Sequence, residues 1–115
     1  MKYQGSCHCG DVAFEVEGEV QGLMDCNCSI CVRKASLLWF VPRKTLRLLT
    51  SETNLSCYKF GKEVISHRFC KRCGIHPFGE GIGPDGQPMA AINVRCLEGF
   101  DFTKLPVTHF DGRAL

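Results

Sequence analysis

Nine cysteines in a chain of 115 residues constrain its fold more than any other feature, because most of them come in tight groups. "SCHCG" holds Cys7 and Cys9, "FCKRCG" holds Cys70 and Cys73, and "MDCNCSICVRK" brings Cys26, Cys28 and Cys31 together. An odd number of thiols cannot pair completely into disulfides within one chain, and a reducing compartment disfavours such bonds. The opening "MKYQGSCHCG" has no apolar run of the kind a signal peptide needs, and no stretch reaches the roughly 18 apolar residues of a membrane span. The expectation is a soluble cytoplasmic protein whose thiols bind metal.

The length and a hydrophobic content of 44% suit one domain over residues 1–115. "DVAFEVEGEV" alternates Val12, Phe14 and Val16 with polar or small residues, the period of a half-buried strand. "LLWFV", "LRLL", "SCYKF", "VISHRF" and "MAAINVR" are further short runs rich in β-branched and aromatic residues, most of them separated by Gly, Pro, Asn or Asp. This pattern predicts an all-β domain with at most one short helix, over residues 29–36. A boundary in the loop "GIGPDGQPM" would leave residues 89–115 to fold alone, which is too few.

Cys70 and Cys73, with their two-residue gap and trailing Gly74, have the form of a zinc knuckle, in which backbone amides point at sulfur and the glycine takes a positive φ. Joined by Cys7 and Cys9 they can make a closed four-sulfur site, which clips the N-terminal strand to the second half of the chain and couples metal to folding. The competing reading is four buried free thiols packing as small apolar groups.

Cys26, Cys28 and Cys31 can converge if the first two leave a bent strand end and the third lies on the turn that follows. Three protein ligands plus an exchangeable position is the pattern of a catalytic zinc, and three thiolates make that zinc a match for a soft fourth ligand such as a thiolate. A second structural site completed by Cys57 or Cys96 fits the spacing equally well. An iron–sulfur cluster fits the count, although no established cluster spacing is present.

"GSCHCGDVAFEVEG", "DCNCSICVRK", "FCKRCGIHPFGEG", "AAINVRCLEGFD" and "FDGR" occur in this order across residues 5–113. Together they resemble the glutathione-dependent formaldehyde-activating enzyme family, which also includes the centromere protein V domain. The resemblance implies a zinc fold of several curled antiparallel sheets with two zinc ions per chain. A structural ion would take Cys7, Cys9, Cys70 and Cys73, and a catalytic ion Cys26, Cys28 and Cys31. It also implies a carbon–sulfur lyase activity run in reverse, in which the thiol of glutathione adds to formaldehyde or a related small aldehyde. Glutathione's sulfur would take the open position, where the cation lowers its pKa.

Glutathione carries two carboxylates, so its pocket should present cations. Arg33, beside the triplet, and Arg95, beside Cys96, are the preferred candidates, with Lys34, Lys71 and Arg72 also near site cysteines. His76 can donate to an oxyanion or cap its turn. Asn93 is polar within an apolar strand and needs a partner. Trp39 and Phe40 read as core aromatics, His8 as exposed, and His67 and His109 as core or surface residues in strand-like runs.

Zinc on seven thiolates would bring the formal charge from +2 to about −1, which argues against a nucleic-acid binder. The leading rival is a non-catalytic interaction module with two structural zinc sites. A methionine sulfoxide reductase would need Cys57 or Cys96 as its nucleophile, and it leaves the triplet without a role.

Overall fold

The computed structural model describes residues 1–114. Its strands are β1 (Lys2–Ser6), β2 (Ala13–Glu17), β3 (Leu23–Cys26), β4 (Leu38–Pro42), β5 (Leu46–Leu48), β6 (Leu55–Tyr58), β7 (Ser66–Cys70), β8 (Phe78–Ile82), β9 (Pro88–Asn93) and β10 (Val107–Phe110). One short helix, α1 (Ser29–Lys34), follows β3. The architecture is therefore all-β, as the strand-like runs predict. None of the helices among the described residues is long and apolar enough to cross a membrane.

The strands form a three-stranded sheet in the order β1-β2-β5 and a seven-stranded sheet in the order β10-β3-β4-β9-β8-β7-β6. Every pairing is antiparallel except β10 with β3, where Val107 lies opposite Leu23 and Phe110 opposite Cys26. A parallel partner needs a long return path, and the connection after β9 supplies it through two 3-10 turns, Val94–Cys96 and Phe102–Lys104.

The core lies between the two sheets. Phe14 and Val16 point inward from β2, and Phe14 meets Phe78 of β8 edge-on at 6.0 Å between centroids. Trp39 is buried against Tyr3, whereas Phe40 is 47% exposed. The expectation that both are core residues fails for Phe40, because successive side chains of a strand face opposite sides.

The helix ends at Lys34, two residues before the predicted limit. Ala35 enters the left-handed region at φ 55 and its N–H closes on the Cys31 carbonyl at 2.9 Å. This stop fixes Lys34 on the last turn, one turn beyond Cys31.

Candidate functional site

The loop after β1 carries Cys7 and Cys9, Cys70 closes β7 and Cys73 lies in the turn that follows, so four sulfurs held by the two sheets meet within 4.8 Å of one another. Cys7 Sγ to Cys9 Sγ is 3.7 Å and Cys9 Sγ to Cys70 Sγ is 3.6 Å. A tetrahedral zinc with Zn–S bonds of about 2.3 Å requires sulfurs about 3.8 Å apart, so the spacing fits the ion and is far too long for a disulfide. Backbone N–H groups of Arg72 and Cys73 point at Cys70 Sγ at 3.4 Å, and that of Val12 at Cys7 Sγ at 3.3 Å. Gly74 takes the positive φ of 79 that the knuckle turn requires.

Without a cation these thiols conflict. Burial opposes ionisation of Cys73, but the amides of Ile75 and Cys9 outweigh it and bring it to about 6. The Asp11 amide lowers Cys9, yet burial and the neighbouring Cys70, Cys7 and Cys73 push it up to about 12. A divalent cation removes this conflict by letting all four ionise.

The triplet is built by a strand end and a helix start. Cys26 closes β3, Cys28 is the N-cap of α1 and Cys31 lies within it, with the three sulfurs within 4.8 Å of one another. Burial, then the Cys28 side chain, raises Cys31 to about 12. The other two cysteines lie outside both groups. Cys57 is exposed on β6. Cys96 is half-buried with its sulfur 3.7 Å from Asn93 Nδ2, and burial, then the charges of Cys7 and Cys73, push it up to about 11. Among the described residues, no fourth cysteine, histidine or carboxylate joins the triplet.

The C-terminal segment packs directly on the triplet. Asn27 Nδ2 donates to Asp111 Oδ1 at 2.9 Å, Arg113 N–H donates to Asn27 Oδ1 at 2.9 Å, and Asn27 N–H donates to the Phe110 carbonyl at 3.1 Å. Between these anchors Gly112 comes so close that an added Cβ would lie 2.6 Å from Cys26 Sγ.

A cationic group flanks the triplet on another side. Lys34 Nζ lies 3.2 Å from His67 Nδ1 of β7 and 3.1 Å from His76 Nε2. Burial lowers the Lys34 pKa, opposed by the thiolate charges of Cys31, Cys28 and Cys26. Burial and the Lys34 charge lower His67 to about 4 and His76 to about 3. His76 Nδ1 faces the Arg68 carbonyl at 2.7 Å, so that nitrogen carries the proton.

Arg33 is exposed, and its Nη1 donates to the Ser29 carbonyl of its own helix at 2.7 Å. Arg95 is also exposed, with its guanidinium 4.8 Å above the Phe102 ring. Asn93 finds its partners in the His76 carbonyl at 3.0 Å and the Arg95 N–H at 3.2 Å. His8 is exposed, and His109 pairs with Asp25 at 3.1 Å. Sequence reasoning passed over Lys34 in favour of Arg33. The usable signal was the spacing of three from Cys31, which puts Lys34 and Cys31 on one helix face.

An all-β domain with two cysteine groups, one of four sulfurs and one of three, defines a protein with places for metal ions. The family described as glutathione-dependent formaldehyde-activating enzyme matches residues 2–110, and the chain belongs to that family. Its structure is also similar to the crystal structure of a Rhodobacter sphaeroides protein, with a TM-score of 0.78 at 31% identity, over 91% of this chain and 99% of that one.

Proposed function

We propose that this protein is a zinc-dependent carbon–sulfur lyase that adds a thiol, glutathione in the first instance, to formaldehyde or a related small aldehyde. It works as one cytoplasmic domain over residues 1–115 with two zinc ions. Cys7, Cys9, Cys70 and Cys73 hold a structural ion, and Cys26, Cys28 and Cys31 hold a catalytic one. The observation that carries this reading is the triplet of converging sulfurs, with Cys57 and Cys96 both outside it. A zinc bound there supplies a Lewis acid that favours the ionised form of an incoming thiol.

The chain's own groups do the rest. Residues 111–113, anchored through Asn27, cover the Cys26 side of the site and limit the directions from which a thiol can approach. Arg33 and Arg95 hold the carboxylates of glutathione, because both are exposed and a guanidinium fork matches a carboxylate. The half-buried cysteines sit where water is partly excluded, which strengthens each charge interaction with the bound thiol.

Exchange NMR on formaldehyde and glutathione measures the rate of S-hydroxymethylglutathione formation above the spontaneous reaction. The holoprotein should accelerate it and Cys28→Ser should return it to the spontaneous rate. Equal rates for wild type, Cys28→Ser and buffer would refute the lyase reading.

A further inference from the structure

Donor arithmetic in the Lys34, His67 and His76 cluster leaves one N–H of a charged Lys34 unspent. The Arg68 carbonyl can only accept, so His76 carries its proton on Nδ1 and presents a bare Nε2 to Lys34. His67 also turns Nδ1 toward Lys34, and its ring is held in place by Phe60, stacked on it at 5.5 Å, with Tyr58 stacked on Phe60 at 5.8 Å. His76 is therefore an acceptor toward Lys34, and a charged Lys34, which has no lone pair, makes His67 Nδ1 an acceptor as well. The ammonium spends two N–H groups on these nitrogens and keeps a third, which has no protein partner among the described residues. The geometry leaves that third donor available beside the triplet, because Lys34 sits one helical turn from Cys31.

We propose that the Lys34 ammonium, fixed by the imidazoles of His67 and His76, is an oxyanion subsite beside the triplet. The oxygen it takes is the one that becomes negative when a thiolate adds to an aldehyde. This role rests on the lyase reading. In the step, a sulfur lone pair forms the C–S bond and the C=O π pair moves to oxygen. The alkoxide then takes a proton from the Lys34 ammonium, which solvent restores, balancing the proton the thiol gave up. Lys34 is a catalytic residue in this account. His67 and His76 are positioning residues, since they act through Lys34, whose remaining N–H they aim.

The test uses the zinc-loaded full chain and three readouts. Nitrogen-15 NMR should find His76 Nε2 and His67 Nδ1 unprotonated and hydrogen-bonded in wild type. Formate, an anion of formaldehyde's size, should shift the Lys34 side-chain resonances and lose its binding in Lys34→Met. In exchange kinetics Lys34→Met should lower kcat about 100-fold, the loss typical of one oxyanion donor, with glutathione affinity changed less than about threefold. The opposite tautomers, or formate binding and kcat unchanged in Lys34→Met, would overturn the subsite while wild-type acceleration upheld the lyase reading. A loss of glutathione affinity with kcat intact would also overturn it, making Lys34 a carboxylate holder. If wild type gives no acceleration but formate binding still depends on Lys34, the lyase reading and this catalytic role fall together and only a bare anion site is left. If Lys34→Met does not fold, the tautomers and formate shifts of wild type decide.

Discussion

Gly112→Ala is the sharpest local perturbation of the triplet that leaves every cysteine in place. The added Cβ would lie 2.6 Å from Cys26 Sγ and 3.0 Å from Cys28 Cβ, where nonbonded carbon contacts prefer about 3.5–4.0 Å. Something must move. Either residues 111–113 lift and strain the two bonds to the Asn27 side chain, or the Cys26 sulfur swings out of the triplet. Overpacking of this size costs about 1–3 kcal/mol, and if the triplet absorbs it, metal affinity there falls by about 5-fold to 150-fold. The four-sulfur group is built from other segments, so its metal and the global melting transition should change little. A chelator competition titration of the two zinc equivalents, with thermal melting alongside, measures both effects. Unchanged affinity for the weaker equivalent would refute the claim that the C-terminal segment bears on the triplet.

Two further outcomes follow from the same geometry. Cys70→Ser should lower melting severely, because it opens the clip between the two sheets, while Cys28→Ser should melt near wild type and lose the weaker zinc; equal losses of stability would mean two structural sites. His67 and His76 are depressed to about 4 and about 3 from an unfolded value of about 6.5, so the unfolded chain binds more protons between those limits. Their stability contribution is then complete above about pH 6.5 and lost as pH falls toward the folded values, and imidazole NMR showing either ring charged at pH 5.5 would contradict this.

Much of the strand content was legible because Val12, just before β2, and Phe14 and Val16 within it keep a strict alternation, and the other strand-like runs are rich in β-branched or aromatic residues. β8 was not, since FGEGI places glycine at two of five positions and reads as a loop. It is nonetheless a strand, paired on both sides by β7 and β9, so tertiary pairing overrides a weak local preference. The two cysteine groups were readable from spacing, because short gaps leave a turn few ways to point its sulfurs. The Lys34 cluster was not, because His67 and His76 meet α1 only through the seven-stranded sheet. Cys96 shows the same limit: its place beside Asn93 and the His76 turn depends on where β9 ends, which no local pattern records.

The central claim is that the triplet's remaining coordination position belongs to an incoming thiol. Cobalt substituted at that site, followed by absorption spectroscopy, tests it most directly, since each sulfur bound to cobalt adds charge-transfer intensity. The account predicts a three-sulfur spectrum that gains intensity on adding glutathione and does not on adding S-methylglutathione, whose sulfur cannot ionise. A four-sulfur spectrum already present in the free protein, unmoved by glutathione and reduced by Cys57→Ala or Cys96→Ala, would contradict it.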